Sequence, residues 1–70
     1  MDKTEFGKRL RYLRAEAGYT QEKLAELSDM STVYLGEIER GKKVVGLDKF
    51  IKLVRALDVS ADYIPVSYTH

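Results

Sequence analysis

Between Arg40 and Arg55 the chain sets six basic residues, Arg40, Lys42, Lys43, Lys49, Lys52 and Arg55, against one acid, Asp48, a local charge of +5. The six basic and eight acidic residues before Arg40 sum to −2, and the two acids after Arg55 add −2, so the formal total of +1 hides one concentrated cationic stretch. Lysine and arginine at this density can neutralise the phosphates of a nucleic acid. The plain alternative is a solvated helix face followed by a basic loop. No other constellation of reactive side chains is present: the sequence has no cysteine, no glycine-rich phosphate loop and no metal-ligand spacing, and its one histidine is the terminal His70. The chain is therefore expected not to be an enzyme and to require no cofactor, metal or small-molecule substrate.

The elements that must position this stretch come just before it. Residues 20–41, T-Q-E-K-L-A-E-L-S-D-M-S-T-V-Y-L-G-E-I-E-R-G, hold two short apolar-periodic segments with only Ser28, Asp29 and Met30 between them. Thr20 can cap a helix from Gln21 to about Leu27 whose Leu24 and Leu27 face inward. Ser31 begins a second helix that buries Tyr34, Leu35 and Ile38 on one face. So short a link forces the helices to cross steeply and leaves the second one as a probe, the arrangement of a helix-turn-helix built to meet DNA. The same spacings also fit an αα-hairpin in a small bundle with no nucleic-acid role. Ala25 is small enough to let the two backbones approach. Asp29 falls where the turn asks for a left-handed conformation, which glycine adopts most cheaply and Asn or Asp next. Gly41 supplies a stop after the second helix.

Around this pair the chain reads as helix throughout. Phe6, Leu10, Leu13 and Ala17 recur at helical spacing, and Asp2 with Glu5 can form a capping box, giving a first helix from about Lys3 to Ala17, ended by Gly18. Leu47, Phe50, Ile51, Val54 and Leu57 give a fourth amphipathic helix from about Leu47 to Leu57, with Gly46 as a mediocre cap. Ser60 can cap a short fifth helix containing Tyr63 and Ile64, closed by Pro65. The fold class expected is all-α, a compact five-helix bundle: a domain over residues 1–65 and a tail over 66–70, the tail being a frayed end, an added segment or a dimer contact. A chain of 70 residues buries only about 60% of the surface it exposes when unfolded, so its core is thin. There is no apolar run of roughly 20 residues and no signal-peptide pattern, which excludes a membrane span and points to a cytoplasmic protein. The absence of cysteine suits a reducing compartment.

With these motifs in place the chain resembles the Xre/Cro family of phage and bacterial repressor DNA-binding domains, the lambda-repressor-like fold. The likeness runs from Phe6 to Ile64 and rests on L-R-Y-L-R at 10–14, T-Q-E-K-L-A at 20–25, S-T-V-Y-L at 31–35, I-E-R-G-K at 38–42 and L-V-R-A-L-D-V-S at 53–60. It implies that Arg14 of the first helix pairs with Glu39 at the end of the third, and that Gln21 hydrogen-bonds a backbone phosphate. By matching positions it implies that Thr32, Val33, Gly36 and Glu37 point into the major groove. There the methyls of Thr32 and Val33 can meet a thymine methyl and the Glu37 carboxylate can accept from a cytosine amino group. Gly36 either allows close approach or simply costs about 1 kcal/mol of helix propensity. Arg40, Lys42 and Lys43, with Ser31 and Tyr34, are the expected phosphate contacts, although the Tyr34 ring also suits packing beside Leu35 and Ile38.

Family members often carry Arg, Lys, Gln or Ser on the groove face, where this chain has a glutamate and no bidentate donor. Affinity is then expected to rest mainly on phosphates. One such domain reads few base pairs, so a homodimer on a pseudo-palindromic double-stranded DNA operator is expected, with helix three in the major groove and repression as the outcome. Tyr63, Ile64, Val66 and Tyr68 are the expected dimer contacts, unless Tyr63 and Ile64 merely finish the core. The competing reading is a protein-interaction module, such as an antitoxin or anti-repressor, with a protein partner in place of DNA. Glu37 and the weak net charge keep that reading open.

Overall fold

Polar side chains start the first three helices in the same way. In the computed structural model, which describes residues 2–60 with side chains up to Leu57, the helices are α1 (Lys3–Ala17), α2 (Gln21–Leu27), α3 (Thr32–Glu39) and α4 (Leu47–Ser60). Asp2 accepts a hydrogen bond from the Glu5 amide at 2.8 Å, Thr20 from the Lys23 amide at 3.0 Å and Ser31 from the Tyr34 amide at 3.0 Å. Each cap thereby satisfies one of the amides that a helix start leaves without an intrahelical partner. The Glu5 side chain returns no bond to Asp2 among the described residues, so only half of the expected capping box is made.

The same three helices also end alike. Each closes on a residue of positive φ, Gly18 at 79°, Asp29 at 55° and Gly41 at 76°. Paired backbone bonds fold back from the exit: Gly18 to Ala15 and Tyr19 to Arg14, Asp29 to Glu26 and Met30 to Ala25, Gly41 to Ile38 and Lys42 to Glu37. This is the left-handed closure that satisfies terminal carbonyls, and Asp29 is the one non-glycine that adopts it. At Gly41 a second constraint applies, since a Cβ there would fall 2.9 Å from the Thr4 Cα of α1. Gly41 therefore brings the end of α3 into direct contact with the α1 backbone.

Packing makes α3 the central element. Leu35 and Ile38 are fully buried with Leu10 of α1, Leu24 and Ala25 of α2, and Leu53 and Ala56 of α4. Phe6, Tyr19, Met30, Tyr34, Val45 and Leu57 close over this cluster, and the Phe6 and Phe50 rings meet with centroids 5.9 Å apart. Ala25 of α2 is buried within this cluster. On the far side Gly7 admits the end of α3: a Cβ there would lie 2.6 Å from the Glu39 carbonyl oxygen and closer still to that of Ile38.

Several sequence expectations change here. Leu27 is exposed rather than inward-facing, and Leu13 of the first helix's apolar series is exposed as well. In α4 Leu53 and Ala56 are buried, Leu57 packs against the core and Phe50 meets Phe6, while Leu47, Ile51 and Val54 are exposed, so only part of the apolar set faces inward. The helix also continues to Ser60 instead of stopping near Leu57. Four helices are described, and the expected fifth one, with the contacts assigned to Tyr63, Ile64, Val66 and Tyr68, falls outside the described residues. Within the described residues no strand forms and no helix is long and apolar enough to cross a membrane.

Candidate nucleic-acid interface

The Glu39 carboxylate fixes the orientation of α3. Arg14 approaches it with a fork, Nε to Oε2 at 2.7 Å and Nη2 to Oε1 at 3.1 Å, while its Nη1 donates to the Tyr19 carbonyl at 3.0 Å. Gln21 adds a third donor, Nε2 to Glu39 Oε1 at 2.9 Å. One carboxylate thus joins α1, α2 and α3, and its side chain is only 3% exposed. Three charge-assisted bonds in a fixed geometry rigidify the angle at which α3 stands off the bundle. Gln21 was expected to hydrogen-bond a backbone phosphate, and in this structure its side-chain amide donates inward to Glu39.

With Leu35, Ile38 and Glu39 held inward, the opposite face of α3 is open. Thr32 is exposed and Val33 retains 72% of its accessible surface, unusually high for a branched aliphatic on a helix so well packed on its other side. Glu37 is half-buried, and Lys43 Nζ stands 3.5 Å from its carboxylate, offsetting the negative charge that faces outward. Ser31 spends its oxygen as acceptor in the cap of α3, leaving its hydroxyl proton free to donate. Tyr34 is half-buried against the core, in keeping with its packing role. Gly36 lies on the same side of α3 as Thr32 and Val33 but is not open. It is buried, because the Arg40 guanidinium lies against it: a Cβ at Gly36 would fall 3.1 Å from Arg40 Nη1 and 3.9 Å from Arg40 Cζ. Arg40, Lys42 and Lys43 are all exposed in the segment leaving α3.

A short-linked helix pair with an outward face on its second helix and cations at its exit finds counterparts among known proteins. Residues 10–64 match the helix-turn-helix family. The chain belongs to that family, in its Xre/Cro-like branch. Control protein C.BamHI of Bacillus amyloliquefaciens is a helix-turn-helix relative 40% identical over 55 residues, covering 77% of this chain and 68% of its own length. The HTH-type transcriptional regulator PrpR of Mycobacterium tuberculosis is 38% identical over 61 residues, which are 87% of this chain but only 13% of PrpR. Among solved helix-turn-helix structures, the restriction-modification controller protein C.AhdI from Aeromonas hydrophila superposes with a TM-score of 0.78 at 46% identity, over 80% of this chain and 85% of that one.

The helix-turn-helix has a second brace that no local pattern announced. Lys49 Nζ donates to the Asp29 carbonyl at 2.6 Å, and Lys52 Nζ donates to the Asp29 carboxylate at 2.9 Å. Hydrogen bonding from Lys52, followed by the charges of Lys52 and Lys49, holds the Asp29 carboxyl below its ordinary value. Two members of the basic stripe therefore serve the turn of the helix-turn-helix, from 20 and 23 residues away. Arg40, Lys42 and Arg55 keep side-chain cations without a protein partner among the described residues. No group of His, Cys, Asp or Glu among those residues could hold a metal ion.

Proposed function

We propose that this chain is a sequence-specific DNA-binding transcriptional regulator that inserts α3 into the major groove. The observation that carries the reading is the open face of Thr32 and Val33 on a helix locked by the Arg14–Glu39–Gln21 junction. Nothing in the described domain covers that face. In this reading Thr32 and Val33 meet base edges, Glu37 accepts from a cytosine amino group, and Lys42 and Lys43 neutralise phosphates, assisted by Ser31 and the Tyr34 hydroxyl. Gln21 contributes by orienting α3, with its backbone at the start of α2 left for phosphate. The relatives support the same conclusion, since PrpR is named a transcriptional regulator and C.BamHI a control protein.

The regulator acts as a homodimer on a pseudo-palindromic operator with half-sites about one helical turn apart, and it represses by occupying a promoter. The protein-interaction alternative drew its strength from Glu37 and from the weak net charge of +1. Lys43 beside that carboxylate favours DNA instead. The deciding experiment is selection from a random duplex pool, followed by titration of the selected site at several salt concentrations. Recovery of a two-fold symmetric site, with affinity falling steeply as salt rises, is the expected result. Salt-independent association, or no enrichment over the starting pool, rejects the proposal.

A further inference from the structure

We infer that Arg40 is a specificity-determining residue that reads a guanine in the major groove across the gap left by Gly36. The inference rests on the DNA-binding reading above and goes beyond it, because the basic stripe by itself assigns Arg40 only to phosphate.

The argument begins with position. Gly36 lies one turn beyond Thr32 and three residues beyond Val33, so the three share a face of α3, and Arg40 is the i+4 neighbour of Gly36. The Arg40 side chain does not extend away with the following loop. Its guanidinium occupies the space a side chain at position 36 would fill, with Nη1 3.1 Å from the site of the missing Cβ. The fork therefore stands on the surface that bears Thr32 and Val33. Gln21 Oε1 is 3.8 Å from the same point, so the amide that donates to Glu39 also borders this space.

Charge and chemistry follow. Arg14, Lys43, Lys49 and Lys52 are each paired with a carboxylate of the chain, whereas the Arg40 guanidinium makes no ion pair or hydrogen bond among the described residues. All five of its N–H donors are free, on a planar group whose geometry matches O6 and N7 of guanine. Phosphates line the rims of the groove, and a donor carried on the central turn of the probe helix faces base edges instead. Gly36 thus supplies room for an arginine from the next turn, and the groove face regains the bidentate donor that residues 32, 33 and 37 lack. Each half-site should then hold a guanine at one fixed position beside the bases met by Thr32 and Val33.

The test compares wild type, Arg40→Lys and Arg40→Ala on the site selected from a random duplex pool and on the same site with its guanines replaced singly. Circular dichroism melting verifies that each variant is folded. Arg40→Lys retains the charge and loses the fork, so discrimination at one guanine should fall about tenfold or more while the salt dependence stays as in wild type. Arg40→Ala should lose the same discrimination. Undiminished preference for every guanine in Arg40→Lys overturns the inference. So does an equal loss of affinity for all sequences in Arg40→Ala, with a shallower salt dependence, which marks a phosphate contact. In both cases the wild type still selects a site, and the DNA-binding reading survives. A wild type that selects nothing overturns both.

Discussion

Arg14 Nε stands 2.7 Å from the Glu39 carboxylate across 25 residues of sequence, on a pair whose side chains are 15% and 3% exposed. Removing one partner leaves the other charged and desolvated. Glu39→Ala is expected to cost about 3–5 kcal/mol, a large share of what a domain of this size possesses, whereas a paired apolar replacement of Arg14 and Glu39 should cost far less. Urea unfolding of the single and double variants measures both. A single variant with an unshifted midpoint contradicts the junction.

Gly7→Ala reverses the ordinary sign of a glycine replacement. In a helix interior the change normally stabilises by about 1 kcal/mol. Here the new methyl would press on the carbonyls of Ile38 and Glu39, which are backbone and cannot swing aside. A net loss of about 2 kcal/mol is expected from overpacking. Thermal melting of Gly7→Ala beside Gly36→Ala separates the two cases, because at Gly36 the obstructing atom is the end of an exposed, flexible arginine and the gain in helix propensity should survive.

Acid should loosen the helix-turn-helix at its turn. The bond from Lys52, then the charges of Lys52 and Lys49, lower the Asp29 carboxyl below its ordinary value of 3.8 in the folded chain. A carboxyl lowered by folding contributes stability above its unfolded value, and that contribution fades as the pH falls through the folded one. Stability should therefore decline below about pH 4, and Asp29→Asn should remove this part of the decline. The carboxylate is exposed, so salt should weaken the effect. Unfolding midpoints between pH 2 and pH 7 at two ionic strengths provide the check. Superimposable profiles for wild type and Asp29→Asn would dismiss the clamp.

Lys42 and Lys43 should differ in their binding phenotypes. Lys42→Ala should reduce the salt slope by about one for each bound copy and weaken all sequences alike. Lys43 is shared with Glu37, so Glu37→Gln frees it and should tighten binding to mixed-sequence DNA. Anisotropy titrations across salt concentrations report both. Weaker binding by Glu37→Gln to every fragment would mean that releasing Lys43 gives it no phosphate contact.

The parts of the fold that were legible in sequence are those decided within a few residues. Asp2, Thr20 and Ser31 each sit where their oxygen meets an amide three positions on, and this fixes the starts of α1, α2 and α3. Asp29 was readable as a left-handed turn residue for the same local reason. The burial of α4 was not, because Leu47, Phe50, Ile51, Leu53 and Val54 make the helix apolar on more than one side and the period alone does not choose a face. The outward set of Thr32 and Val33 and the Arg14–Glu39 pair came from family resemblance, and the inward turn of Gln21 needed coordinates. So did the Asp29 clamp and the seat of Arg40 on Gly36, for neither a salt bridge spanning 20 residues nor the space a glycine leaves has a sequence pattern.

The eight residues of α3 divide their duties cleanly. Leu35, Ile38 and Glu39 hold the architecture, and Thr32 and Val33 carry no part of it. Substitutions at those two positions are therefore nearly free of folding consequences, and under the proposed DNA-binding reading lineages can rewrite the recognised address while the scaffold remains untouched.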